Sequence, residues 1–468
     1  MKQTILLGAL MPHPPLLIPS IGKEEISHVK NTQSAMRELT KQIVRLEPEV
    51  IVIISPHGPM FEDAVSVMDG KLLRGDLSDF GVSGSYQVKS DQELTHEIIR
   101  QAQTAGLPVF LVNDTIKKRY HIPQELDYAA ILPLHYLQEA GFDGNVVLLS
   151  PGFVSHEILL QAGSSVRKAI EALGRSSVII ASGDNSHALK ADAPSGYREE
   201  GQVFDLRLRQ SIQTSDWMAL YALDQDFLEK AAEDTLAPFA ILLGVFDQVK
   251  VSGHLLSYEG PFGVGYTVAS FEPTSSETVS LYKELKQYRL QQLENIRLKE
   301  SAFVRLAREA LETYVREGRI LDVPELLPEE MKKQAGCFVS IKQAERLRGC
   351  IGTIKPVHSS ISEEIIQNAI AAGTEDERFY PVEEEELADL IYSVDILAPE
   401  EHVTDLSQLD PKRFGLIITN GQSSGLLLPN LEGVDTVTQQ IAITREKAGI
   451  AQDDQNVTMY RFEVVRYT

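Results

Sequence analysis

Cysteine is nearly absent from this 468-residue chain: only Cys337 and Cys350 occur. Two cysteines exclude a disulfide framework, and their spacing matches neither a zinc ribbon nor a redox CxxC pair. Any metal must therefore rely on histidine and carboxylate. Positive charge is also scarce, with 44 Lys and Arg against 67 Asp and Glu and a formal net charge of -23. That excess repels phosphate backbones and anionic lipid, and no basic stripe opposes it, so neither nucleic acid nor a membrane is expected as a partner. No apolar run approaches the roughly 20 residues that span a bilayer. The opening MKQTILLGALMPHPPLLIP holds only a short apolar run, broken by PHPP, and no small-residue cleavage site follows it. A cytoplasmic location is expected. Internal repeats and low-complexity tracts are absent too.

What is present is ordinary globular material, 43% hydrophobic and 24% charged. That composition supplies a sizeable core, and the length suggests two domains. Up to about residue 270, short β-rich runs alternate with amphipathic stretches, the pattern of an α/β domain with a mostly parallel sheet and flanking helices. Strands are predicted at 5–10, 50–55, 108–112, 145–150 and 177–181, with helices at 24–47, 91–105 and 155–173. The segment SYEGPFGVGYTVASFEP reads as a Gly-punctuated strand or hairpin, and PTSSET then breaks the pattern. Predicted boundaries are 1–272 for the first domain, 273–297 for a helical linker and 298–468 for an α+β second domain. Strands in the latter are predicted at 337–341, 390–397, 415–419 and 460–467. The acidic run at 383–386 reads as a solvated face.

His13 in PHPP follows the first predicted strand, and His57 in SPHGP follows the second. The strand VIIAS runs into GDNSH, which puts Asp184 and His187 at a third strand end. In an open parallel sheet, ligands bind outside the carboxyl ends of the strands, so all three segments should face one crevice. Strand-end histidines either bond to backbone as caps or bind metal, and spacing alone leaves both readings open. Two histidines need an anionic partner to form the facial triad that holds Fe(II) with open positions. Glu233 and Asp234, at the mouth of an apolar helical stretch, and Glu259 are the carboxylates on offer; first-turn helix charge is the plain alternative for the first two.

PHPP, SPHG, SGDNSH and the closing YEGPFGVGY together resemble the LigB-like class III extradiol dioxygenase superfamily and its Memo relatives, over about residues 1–272. The resemblance implies that His13, His57 and a carboxylate bind one metal ion, Fe(II) before zinc or manganese, with a small chelating aromatic substrate in the open positions. In those enzymes the carboxylate stands four residues before a Pro and ten before a Gly. Asp234 matches through Pro238 and Gly244, and Glu233 is held in reserve. Memo-like proteins carry Cys at that position. His187 would be the general acid and base, with Asp184 beside it as a substrate-binding candidate. There is one departure: ring-cleaving relatives carry a His after an Asp where this chain has Asp127 and Tyr128, while His121 and His135 lie out of register. A non-catalytic metal-binding or adaptor role is the alternative that this departure favours.

In the second half, Gly349 and Gly352 give LRGCIG a tight backbone path that presents Arg348 and Cys350. A thiol beside an Arg could have a lowered pKa and act as a nucleophile, whereas a small buried residue in a strand is the plain reading. LRGCIGT, ERFYP, GLLLP and KAGI resemble the AMMECR domain family over about residues 298–468. That resemblance implies no settled reaction and leaves Cys350 as a catalytic candidate and Arg348 as a substrate-binding one. The combination resembles the AmmeMemoRadiSam group, which implies a radical SAM protein as partner.

Overall fold

Every residue of β2 (Val50–Ile54) is buried, as a β-branched strand covered on both faces requires. Alternation divides it between two cores: Val50, Val52 and Ile54 pack in one, Ile51 and Ile53 in the other. The helices Gln92–Thr104, His156–Leu173 and Leu236–Val245 supply the first, and Lys30–Arg45 and Tyr128–Glu139 the second. This computed structural model describes residues 4–468 apart from 83, 123, 344, 345 and 432. The chain divides into two units, Met1–Arg289 and Leu290–Thr468.

The first unit contains β1 (Ile5–Met11), β2, β3 (Val65–Met68), β4 (Leu72–Asp76), β5 (Ser85–Lys89), β6 (Val109–Val112), β7 (Asn145–Ser150), β8 (Ser177–Ser182), β9 (Val249–Glu259) and β10 (Tyr266–Glu277). Eight of these form one sheet in the order β6-β3-β7-β2-β8-β1-β10-β9, and β4 pairs with β5. The centre is parallel, through β1 with β8, β8 with β2, and β2 with β7. β3 runs antiparallel to β7, as do β10 to β1 and β9 to β10. The predicted α/β class holds, and the predicted hairpin is the β9-β10 edge. β10 continues to Glu277, and the helix Leu281–Lys299 follows it, spanning the division between the units.

In the second unit, β11 (Cys337–Gln343), β12 (Arg346–Gly352), β13 (Leu390–Leu397) and β18 (Val464–Tyr467) form one antiparallel sheet in the order β12-β11-β13-β18. The helices Ala302–Glu317 and Ile361–Thr374 close its core. β14 (Glu401–His402), β15 (Gly415–Thr419), β16 (Ser424–Leu427) and β17 (Thr458–Phe462) form a second small sheet. The single strand predicted at 460–467 is thus two, split at Glu463 and shared between the sheets. No described helix is long and apolar enough to cross a membrane.

Candidate metal centre

β2, β8 and β1 are adjacent and parallel, so their carboxyl ends open at one edge of the sheet. His13, His57 and Asp184 stand just beyond those three ends. Asp234 reaches the same place from the turn before the helix Leu236–Val245, which is buried at every residue except Ala237. That helix lies against His156–Leu173 at a close crossing: a Cβ on Gly163 would come within 2.0 Å of the Ile241 carbonyl, and one on Gly244 within 2.0 Å of the Leu160 carbonyl. Glycine at both positions lets the backbones touch, and the crossing brings Asp234 over the strand ends.

Three donors converge there. Asp234 Oδ2 lies 3.3 Å from His13 Nε2 and 3.2 Å from His57 Nε2, and one ligand atom from each of the three residues lies within 4.8 Å of the others. Asp234 Oδ1 accepts from the Asp184 amide at 2.6 Å, which fixes the carboxylate with its other oxygen turned to the imidazoles.

The His13 tautomer follows from its partners. The Ser182 hydroxyl donates its one proton to the Ala129 carbonyl (2.7 Å), so it can only accept from His13 Nδ1 (3.1 Å). Neutral His13 therefore carries its lone pair on Nε2, facing Asp234 and His57. His57 is held differently. Its amide donates to Ser55 Oγ, whose hydroxyl bonds to Asp127, and its ring stacks on Tyr128 with centroids 4.6 Å apart. Asp127 also caps the helix that begins at Tyr128.

Burial pulls the His13 imidazole down, but the carboxylates of Asp184 and Asp234 outweigh it and carry the ring up to about 9. Burial raises the Asp184 carboxyl. For Asp234 burial acts the same way, yet the His13 charge and hydrogen bonds from both imidazoles hold it well below the usual carboxylate range. The carboxylates therefore favour positive charge at the His13 ring. His187 donates from Nδ1 to the Ala232 carbonyl at 2.9 Å, which leaves Nε2 as its basic atom. Its charge acts on both Asp184 and Asp234, so it borders the cluster.

Two carboxylates do not join it. Glu233 Oε2 accepts from the amides of Thr235 and Leu236 at 2.7 and 2.8 Å; the reserve ligand is a helix cap, and burial pushes its carboxyl up to about 7. Glu259 binds Asn31 and Thr32 instead. Asp184, expected to meet substrate, is buried with Oδ1 accepting from the His13 amide at 2.8 Å, so it organises the loop. Ser182 and Ser55 went unrecognised as parts of the site, and Tyr128 was read only as the loss of a histidine. The two serines stand in SGDNSH and SPHG, one residue from the motif glycine and two from the motif histidine, and that placement was the available signal.

The family described as the catalytic LigB subunit of aromatic ring-opening dioxygenase matches residues 7–269, and AMMECR1 matches residues 304–467. The chain belongs to the LigB family, with an AMMECR1 unit behind it. A Clostridium acetobutylicum protein is 38% identical over 461 residues, covering 98% of each chain. A Thermotoga maritima protein is 48% identical over 170 residues, 36% of this chain and 98% of its own. A crystal structure of a Pyrococcus horikoshii protein shares 33% identity over 35% of this chain and 88% of that one, with a TM-score of 0.34.

In the AMMECR1 unit, LRGCIG lies on β12. Gly349 is required there, since a Cβ would come within 2.0 Å of the Ala372 carbonyl of the covering helix. Arg348 is not a free cation beside the thiol. Its guanidinium makes a two-pronged pair with Glu386 at 2.8 and 2.9 Å and donates to the Tyr380 carbonyl at 2.9 Å. Glu386 is thus not part of a solvated face, although its neighbours Glu383, Glu384 and Glu385 are exposed. The half-buried Cys350 accepts from Ser340 Oγ at 3.2 Å, and its amide donates to Asp376, which also binds Arg378. Cys337 is buried and its thiol is pushed up to about 12 by burial.

Proposed function

We propose that the LigB unit is a mononuclear non-haem metal protein that binds Fe(II) through His13, His57 and Asp234 and performs oxidative chemistry on a small chelating substrate. The observation that carries this reading is the convergence of the three donors. An ion about 2 Å from each of two donors needs them roughly 3 Å apart, and the two His–Asp separations are 3.2 and 3.3 Å. Two imidazoles and one carboxylate on one side of an ion are the donor set of non-haem Fe(II) oxygenases, with zinc or manganese as the alternatives of similar geometry. When bound, such an ion supplies a Lewis acid with open positions and a redox couple.

The chain's own residues do the rest. Ser182 and Asp184 fix His13, the Asp184 amide fixes Asp234, and Tyr128 fixes the His57 ring. His187, with its basic Nε2, takes a proton from the substrate and returns it, since an imidazole is suited to transfer near neutral pH. The test is metal analysis of purified protein after anaerobic Fe(II) loading, followed by oxygen and a panel of catechols. The expected result is one equivalent of metal, lost in His13→Ala plus His57→Ala, and turnover lost in His187→Ala. Metal no higher than in the double variant sinks the proposal, and bound metal without turnover on any catechol favours a metal-binding adaptor instead.

A further inference from the structure

His13 and His57 face the same carboxylate, yet only one of them has its outer nitrogen held by a hydrogen bond. His13 Nδ1 is clamped by Ser182, as metal-ligating imidazoles usually are. Among the described residues the only partner of a His57 ring nitrogen is Asp234, on Nε2, and the side chain is the more exposed of the two, at 35% against 2%. What orients its ring is Tyr128, stacked at 4.6 Å and 29°. The same phenol ring meets His13 edge-on at 5.6 Å and is backed by Phe80 at 5.4 Å. Tyr128 is the first residue of its helix, and Asp127 fixes that start by accepting from the amides of Ala129 and Ala130.

The Tyr128 hydroxyl makes no hydrogen bond to any described residue, although the side chain is partly buried among groups that do. Burial first, and then the charges of Asp234, Asp184 and Asp127, push the phenol up, yet none of these carboxylates accepts a hydrogen bond from it. A half-buried phenol with no protein acceptor thus stands against the His13, His57 and Asp234 cluster, with its hydroxyl open to water or to a ligand oxygen. Such a donor is satisfied by a ligand oxygen.

We propose that Tyr128 is a ligand-selecting residue of the LigB centre: its ring positions His57 by stacking, and its hydroxyl donates to an oxygen of a small bidentate oxygen chelator held at the site. The inference rests on the metal reading above. It turns the position where ring-cleaving relatives carry a histidine from a loss into a distinct contact.

The test separates ring from hydroxyl in the full-length protein. Tyr128→Phe keeps the stack and removes the donor; Tyr128→Leu removes both. Metal affinity is read by competition with a chromophoric chelator, and chelator binding by the absorption band of 4-nitrocatechol titrated into metal-loaded protein. In Tyr128→Phe, metal affinity should stay within about twofold of the parent while 4-nitrocatechol binds about three- to tenfold more weakly, the worth of one neutral hydrogen bond. Tyr128→Leu should also lose about three- to tenfold in metal affinity, the worth of one aromatic pair. Equal 4-nitrocatechol affinity in parent and Tyr128→Phe overturns the hydroxyl contact, and unchanged metal affinity in Tyr128→Leu overturns the positioning role. A parent that binds metal but not 4-nitrocatechol overturns the ligand class, whereas a parent that binds no metal overturns the metal reading first. The Phe variant keeps the test decisive should the Leu variant fail to fold.

Discussion

At the LigB centre three side chains turn possible ligand atoms towards one point, while around LRGCIG the arginines and the cysteine each have a fixed partner. His13 Nε2 and His57 Nε2 both lie against Asp234 Oδ2, at 3.3 and 3.2 Å. In the AMMECR1 unit Arg348 has Glu386, Arg378 has Asp376, and Cys350 has Ser340 and Asp376. Both constellations sit on motif-rich segments with comparable polarity. A closed network fixes a backbone path, whereas two imidazoles converging on one carboxylate oxygen form a donor set that can exchange its mutual hydrogen bonds for a bound ion.

The largest effect should come from the two adjacent acids before the helix Leu236–Val245. Asp234→Ala removes one donor of three and lets the His13 and His57 lone pairs face an apolar methyl. Metal content should fall from one equivalent to trace. Glu233→Gln should keep full metal content, since a glutamine oxygen can still accept from the Thr235 and Leu236 amides. Inductively coupled plasma analysis of both variants breaks the comparison if Glu233→Gln loses the metal or Asp234→Ala keeps it.

A smaller effect is expected one layer out. Ser182→Ala leaves His13 Nδ1 and the Ala129 carbonyl without their common partner. Outer-shell partners of metal-binding histidines are worth about 10- to 100-fold in affinity, so the apparent dissociation constant should weaken by that factor with unchanged far-UV circular dichroism. An unchanged constant would show that the Ser182 clamp does not act on the metal site.

What could be read without coordinates follows from the same physics. PHPP, SPHG and SGDNSH announce strand ends because β-branched runs stop at Pro and Gly, and parallel neighbours place those ends together. Asp234 was legible only through its spacing to Pro238 and Gly244, since nothing local shows that the Gly163/Gly244 crossing delivers it to the strand ends. Ser182 was invisible as a partner because its role depends on a carbonyl 53 positions away in sequence. Glu386 was misread for a similar reason. A run of four glutamates looks solvated, and only the fold of β12 brings Arg348 to the last of them. β3 (VSVM) and β4 (LLRGD) escaped because, unlike the equally short all-apolar VFLV and VIVII of β6 and β2, their runs are broken by polar residues.

The smallest effect tests the closed network. Arg348 and Glu386 are both mostly shielded, with side-chain exposures of 15% and 24%, and Glu386 also accepts from the Glu383 amide. Glu386→Gln keeps the shape but removes the charge, and should lower the stability of the AMMECR1 unit by about 1.5 kcal/mol at neutral pH, the low end for a hydrogen bond to a charged group because both side chains are partly exposed. The only tryptophan, Trp217, lies in the LigB unit, so the measurement is amide hydrogen exchange of peptides from β11 and β12. The pH dependence has a defined sign. Burial acts to raise the Glu386 carboxyl, but the Arg348 hydrogen bonds overcome it and hold the group below its usual range. A depressed carboxylate contributes its full stability above the unfolded value of about 4.3 and loses it as pH falls through the lower folded value. The gap between parent and Glu386→Gln should therefore be constant from neutral pH down to about 4.3 and close below it. A gap that persists unchanged in acid would mean that the pair fixes shape without its charge, and that the closed network at LRGCIG is held by the carbonyls of Tyr380 and Pro381 instead.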